Sequence, residues 1–215
     1  MTLTDRAEEI METLWTEIVE RKKDKCDASL LKDDDALKEI RDAGFIKIKN
    51  NNISLTRKGK DEAKSCIRRH RLAERLFTDV LDLKGSLVHD TSCKFEHFLN
   101  KGLDENICTL LGHPKTCPHG RPIPEGNCCK DLKRMPQKMN VPLPELVLHK
   151  KARIVFLQTQ NREMLKKIIA MGALPKTNIT LLQKYPSYVF KIGKSQFAVD
   201  NELASCIYVS QTGGR

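Results

Sequence analysis

Apolar side chains recur with a helical period through residues 4–22, at Ala7, Ile10, Met11, Leu14, Trp15 and Ile18, with charged residues between them. That stripe predicts an amphipathic helix. A short polar stretch, KKDKCDASLLK, then leads to DDDALKEIRDAG. There Asp33 or Asp34 can cap a second helix, Leu37 and Ile40 face a core, and Gly44 ends it. FIKIKNNNISLT follows, two alternating runs at 45–49 and 53–56 around an Asn-rich turn, which predicts a β-hairpin. Three helical stretches followed by a hairpin outline a winged helix.

Helical periodicity returns at about residues 61–81, 87–100 and 104–111. The next segment, HPKTCPHGRPIPEGNCC at 113–129, is dense enough in Pro and Gly to predict no regular structure. KDLKRMPQKMN reads as a basic linker. From about residue 143 the pattern changes to short β-type runs, RIVFLQ, NITLLQK, SYVFKIG, SQFAVD and CIYV, around one helical stretch, NREMLKKIIAMG. Several short strands with turn residues between them predict a small barrel with its own core. The fold class is therefore α+β.

Net charge narrows the partners. The 215 residues carry a formal charge of +10, which favours a polyanion such as DNA. Aromatic content is 5%, too sparse for a base-stacking single-strand platform, so duplex DNA is the expected form. No apolar run is long enough to span a bilayer, and MTLTDRAEEIMETLW is unlike a signal peptide. A cytoplasmic location is expected, with no membrane partner. The 8 cysteines are then thiols or metal ligands rather than disulfides.

The chemistry concentrates in HRLAERLFTDVLDLKGSLVHDTSCKFEHF, residues 70–98. His70 and Glu74, four apart, share one helical face. His89, Cys93, Glu96 and His97 are spaced to line one face of a second helix. Imidazole, carboxylate and one thiolate suit a first-row divalent metal better than calcium or magnesium. Each residue alone is more often a solvated or core side chain. Their recurrence in register on both helices favours metal, with Fe(II) or Mn(II) expected and Zn(II), Co(II) and Ni(II) as neighbouring choices.

RRHRLAERLFTDVL and VHDTSCKFEH resemble the DtxR/MntR family of metal-dependent transcriptional repressors, and MGALPKTNITLLQKYPSYVFKIGKSQFAVD resembles its FeoA-type SH3-like domain. The resemblance implies one metal site at His70, Glu74 and His89. It implies a second at Cys93, Glu96 and His97, completed from the first helix by Glu9, with Glu8 close by. It further implies homodimerisation through the helical module. The expected organisation is 1–62, a winged-helix DNA-binding domain with a shortened helix-turn-helix; 63–112, a helical metal-binding and dimerisation domain; 113–142, a Cys/Pro-rich loop and basic linker; and 143–215, a FeoA-like SH3-type barrel.

One departure stands out. The helix placed to read DNA opens Asp33-Asp34-Asp35, which suits its own dipole but repels phosphates. DNA contact then falls to the wing and its neighbours: Lys47, Lys49, Arg57, Lys58 and Lys60, with Lys22, Lys23 and Lys25. Cys108, His113, Cys117, His119, Cys128 and Cys129 form a second candidate cluster for structural Zn(II) or an iron–sulfur centre, with reduced thiols on an ordered loop as the alternative. Cys26, Cys66 and Cys206 are expected as core fillers, and His149 is given no role. The leading expectation is a homodimeric metal-dependent regulator that binds operator DNA. The alternative is a metal-sensing adaptor with degenerate DNA reading, whose FeoA-like domain binds a protein partner. An enzyme is not expected, because no nucleophile–base pair or phosphate loop appears.

Overall fold

A computed structural model of the chain describes residues 3–31, 33–99, 102–134, 140–159 and 161–210. Helix α1, Asp5–Leu14, starts where the Thr4 hydroxyl accepts from the Ala7 N–H at 3.3 Å. It does not run on as α-helix to residue 22. Trp15–Glu20 widens into a π-helical turn. That turn places Glu20 where it accepts from the Trp15 indole at 3.1 Å and meets the buried Arg71 guanidinium on two atoms.

The polar stretch between the first two predicted helices holds a single 3₁₀ turn, Ala28–Leu30, capped by Asp27. Ahead of it lies a short strand missing from the sequence reading, β1, Cys26–Asp27. Helix α2, Asp34–Asp42, is capped by the Asp33 carboxylate, which accepts from Ala36 N–H at 3.0 Å. The hairpin is β2, Ile46–Lys49, and β3, Asn52–Leu55, and β1 pairs with β3 on its far side. Strand pairing on both sides of β3, with α1 and α2 packed above, builds a winged-helix core around Met11, Leu14, Ile40 and Ile53.

Helix α3, Arg57–Asp79, is the spine of the molecule. Its first turns pack under the hairpin so closely that a Cβ on Gly59 would sit 1.9 Å from the Phe45 carbonyl oxygen. Only glycine fits there. Ala63 and Cys66 fill the winged-helix core, while Leu72, Ala73 and Phe77 fill a second core. The expected division after residue 62 therefore falls inside one helix. Alongside α3 lie α4, Ser86–Glu96, and α5, Leu103–Leu110. The predicted end of α4 at residue 100 lies outside the described residues.

The Pro/Gly-rich segment is more regular than its composition predicts. Thr116 and Pro122 form a β-bridge, and a further helix, α6, spans Asn127–Arg134. Half of the expected basic linker is thus helical. The rest lies at 135–139, outside the described residues, and Asn140 opens β4. The C-terminal unit is one antiparallel sheet in the order β4-β9-β5-β6-β7-β8. Its strands are β4, Asn140–Pro142; β5, Lys151–Leu157; β6, Asn178–Gln183; β7, Tyr188–Ile192; β8, Ser195–Val199; and β9, Ile207–Ser210. Bulges in the β5–β9 and β6–β7 ladders bend it around Leu157, Leu181 and Phe190, with α7, Arg162–Ala170, and α8, Asn201–Ser205, as covers.

The barrel has no separate core. Its buried residues join those of α3 and α5 in one continuous cluster from Leu72 to Val209. Cys26 and Cys66 are buried fillers, Cys206 only half-buried against this cluster, and His149 is exposed.

Candidate metal centre

Helix α3 packs against both α1 and α4, and the three line a cavity of about 770 Å³. From α3, His70 and Glu74 point into it one turn apart, with His70 Nε2 3.3 Å from Glu74 Oε1. From α4, His89 Nδ1 lies 3.8 Å from the same Glu74 oxygen, and the His70 and His89 rings meet edge-on at 5.1 Å. His70, Glu74 and His89 can thus offer one atom each, all within 4.8 Å of one another.

A second donor set lies beside the first. Cys93 Sγ is 3.6 Å from Glu9 Oε1, and Glu9, Cys93 and His97 also bring donor atoms within 4.8 Å of one another. Glu96, assigned to this set by the family pattern, stands between the two. Its Oε2 lies 2.8 Å from His70 Nδ1 and its Oε1 3.8 Å from His97 Nε2. Glu8 is turned away toward the Arg69 guanidinium and His97 Nδ1, the latter at 2.7 Å.

Two contributions escaped the sequence. Glu12 on α1 faces the centre, its Oε2 3.7 Å from His70 Nδ1. It sits on the same α1 face as Glu8 and Glu9, a spacing visible in the sequence, but nothing local tells which carboxylate turns inward. The other is the loop after α5. Its tip carries Cys117 and His119 to Glu74, with His119 Nδ1 at 3.1 Å from Glu74 Oε1. Cys117 and His119 therefore leave the second cysteine cluster in which the sequence reading placed them. Arg71 and Arg68 hold that loop against α3 by donating to the carbonyls of Pro122 and Pro124.

The centre fits a divalent cation. Glu12 Oε1 and Glu96 Oε1 are buried with no hydrogen-bond partner among the described residues, and Glu96 Oε2 and His70 Nδ1, buried as well, meet at 2.8 Å as an ion pair without forming a hydrogen bond. Buried carboxylates in that state are costly unless a positive charge joins them. Burial and the Glu96 charge push the Glu12 carboxyl well up from its ordinary value. Burial, with Glu96 and Glu9, pushes the Cys93 thiol up to about 12. Burial opposes charge on His70, but contacts with Glu74 and Glu96 outweigh it and raise the imidazole to about 10. For Glu74, burial is outweighed by His70, and its carboxyl falls to about 2. Protons thus hold the place that a cation would take, since a bound cation reverses the preference of thiol and carboxyl alike.

Two segments of the chain match known protein families. Residues 56–125 match the family described as iron dependent repressor, metal binding and dimerisation domain, and residues 141–211 match the FeoA domain. Each match covers about a third of the chain. The DtxR/MntR resemblance drawn from the helical motif holds. Iron-dependent repressor IdeR of Mycobacterium leprae (strain TN) is 38% identical over 82 residues, 38% of this chain and 36% of that protein. The chain's match thus spans about a third of that relative's length. The diphtheria toxin repressor of Corynebacterium jeikeium (strain K411) is 26% identical across 76% of this chain and 75% of its own. Among solved structures, a manganese-dependent transcriptional repressor complex with manganese superposes with a TM-score of 0.50 at 20% identity, covering 95% of this chain and 99% of that one. The manganese regulator SloR does so with a TM-score of 0.50 at 22% identity, covering 98% and 99%. These two likenesses support the winged-helix, helical and SH3-like fold.

The basic residues expected to meet DNA are exposed: Lys47 and Lys49 on β2, Arg57, Lys58 and Lys60 at the start of α3, and Lys22, Lys23 and Lys25 before β1. Not all are free. Lys58 donates to the Ala43 carbonyl at 3.1 Å and lies over the Phe45 ring, and Lys23 pairs with Glu17 at 2.6 Å. Asp34 and Asp35 are exposed at the start of α2.

Proposed function

We propose that the chain is a metal-responsive transcription regulator that binds a divalent metal of the Fe(II)/Mn(II) kind and, as a homodimer, duplex operator DNA. The observation that carries this reading is that α1, part of the winged-helix core, lends Glu9 and Glu12 to the cavity lined by His70, Glu74, His89 and Cys93, with Glu9 also within reach of His97. A divalent cation supplies positive charge at that junction. Neutralised there, Glu9 and Glu12 hold α1 against α3 and α4, and with it the orientation of the hairpin and of α2. Metal affinity then differs between two orientations of the DNA-reading module, which is the thermodynamic requirement for a switch.

Site assignments within this reading are His70, Glu74 and His89 for one metal, and Glu9, Cys93, Glu96 and His97 for the other. Two ligand sets of N, O and a single S suit Fe(II) or Mn(II) over calcium. Dimerisation is supported by Leu87 at 64%, Phe98 at 76% and Leu103 at 44% exposure on the helical module, an apolar display a monomer gains nothing from. Lys47, Lys49, Arg57 and Lys60 are the proposed phosphate contacts. The division into 1–62, 63–112, 113–142 and 143–215 belongs to the same reading. So does a protein partner for the FeoA domain, whose Val147, Leu148 and Tyr185 are exposed. No helix among the described residues is long and apolar enough to cross a membrane.

Repressor names among the relatives support this reading over an adaptor that has lost DNA reading. Fluorescence anisotropy on the chain's own upstream DNA, at physiological salt and with and without Mn(II), tests it. Metal-dependent binding that survives competitor DNA is expected. Weak binding, indifferent to metal and abolished by salt, would overturn it.

A further inference from the structure

A second group of donors lies on the far side of α3. The Cys108 Sγ is 3.5 Å from His113 Nδ1 and 3.6 Å from Cys129 Sγ; Cys129 Sγ is 3.6 Å from His113 Nδ1 and 3.9 Å from Cys128 Sγ. All four offer atoms within 4.8 Å of one another. We propose that Cys108, His113, Cys128 and Cys129 form a mononuclear Cys₃His zinc site that clamps the 113–126 loop between the helical module and the FeoA domain.

Geometry decides for one tetrahedral ion. Zn–S bonds of about 2.3 Å and Zn–N bonds of about 2.0–2.1 Å, at the tetrahedral angle, separate two sulfurs by about 3.8 Å and sulfur from nitrogen by about 3.6 Å. The four separations above match edges of that figure, and the other two lie within 4.8 Å. An iron–sulfur cluster places several irons and sulfides between its ligands, so its thiolates stand further apart than one tetrahedron's edge. Three thiolates and an imidazole are a closed structural zinc set, and the softness of that set disfavours Mn(II).

The backbone is built to converge these donors. Helix α5 ends in a turn where Gly112, φ +75°, lies against β5, and a Cβ there would be 2.5 Å from the Leu157 carbonyl oxygen. The His113 N–H then donates back to the Cys108 carbonyl at 2.8 Å, folding the imidazole over the Cys108 thiol. His113 holds φ +56°, a left-handed conformation unfavourable for a residue with a Cβ. Cys128 and Cys129 come from the first turn of α6. Behind the site, the His113 ring meets Phe156 of β5, which stacks on Tyr208 of β9. Zinc here joins α5 to α6 beside the sheet, and closes both ends of the loop whose tip delivers Cys117 and His119 to Glu74.

The test is a metal count on full-length protein purified without oxygen and dialysed against EDTA, which strips exchangeable metal. One zinc per chain is expected. It should persist in Cys93→Ala, which touches only the other centre, and be lost in Cys129→Ser. Should Cys129→Ser fail to fold, His113→Ala with unchanged circular dichroism replaces it, and mercurial titration of the wild type should release the zinc into a chromogenic chelator. Protein grown on cobalt should show strong thiolate-to-metal absorption that Cys93→Ala keeps and Cys129→Ser loses. Zinc loss should also speed tryptic cleavage after Lys115, which is exposed already but held in the clamped loop. Zinc absent from the wild type, zinc retained in Cys129→Ser, or iron with labile sulfide in its place would each overturn the proposal. None of these outcomes depends on DNA binding, so this site and the regulator reading fail separately.

Discussion

Replacing Glu12 with Gln should move stability and metal affinity in opposite directions. Glu12 is buried, its Oε1 has no hydrogen-bond partner among the described residues, and the neighbouring Glu96 disfavours its charge. Because its carboxyl is held above its ordinary value, ionising it opposes folding. That cost is absent below the unfolded value and grows as pH rises toward the folded one. The amide keeps the shape and removes the cost. An unsatisfied buried acceptor costs about 1–3 kcal/mol, more when charged, so relief of about 1–2 kcal/mol is expected in metal-free protein. For a chain of this size that raises the melting temperature by about 2–8 °C. The same change removes a carboxylate from the cation's surroundings and should weaken Mn(II) binding by about tenfold or more. Scanning calorimetry after EDTA treatment, at pH 5 and pH 8, and Mn(II) titration calorimetry measure the two effects. The stability gain should be larger at pH 8. A metal-free variant less stable than wild type, with Mn(II) affinity unchanged, would refute the reasoning.

Further outcomes follow from other parts of the molecule. Mn(II) affinity should rise with pH from 6 to 8, because His70, raised to about 10, and Cys93, raised to about 12, must lose protons to bind metal; calorimetry in buffers of different ionisation enthalpy should show proton release, and a pH-independent affinity would contradict it. Gly59→Ala should destabilise by about 1–3 kcal/mol or more, read as a lower urea midpoint, since backbone must move to admit the methyl group. Replacing Asp34 and Asp35 with Ser should tighten DNA binding at low salt and steepen its salt dependence if α2 approaches phosphate; unchanged anisotropy would place α2 away from the groove.

The sequence disclosed the centre's α3 and α4 halves because both depend only on helical spacing, which places His70 over Glu74 and Cys93 over His97 whatever the rest of the chain does. It could not disclose Glu12, since choosing among Glu8, Glu9 and Glu12 depends on Arg69 drawing Glu8 aside. Nor could it route Cys117 and His119 to Glu74 and their neighbours to Cys108, because that sorting is made by Arg68 and Arg71 gripping two proline carbonyls far away in the chain. Pro and Gly in the loop masked the onset of α6, where Cys128 and Leu132 fall on one helical face. β1 has two residues, too few to show any alternation. The barrel's strands were legible from alternation, but its sharing of one core with α3 and α5 was not, as apolar patterning marks which side is buried and not against what.

Anomalous diffraction at the manganese edge, from crystals of EDTA-treated protein soaked in Mn(II), tests the central claim most directly. The account predicts density between α1, α3 and α4, bonded to His70, Glu74 and His89 and, beside it, to Cys93, His97 and an α1 carboxylate. Manganese found only at surface carboxylates, with His70 still against Glu96 and α1 contributing nothing, would contradict it.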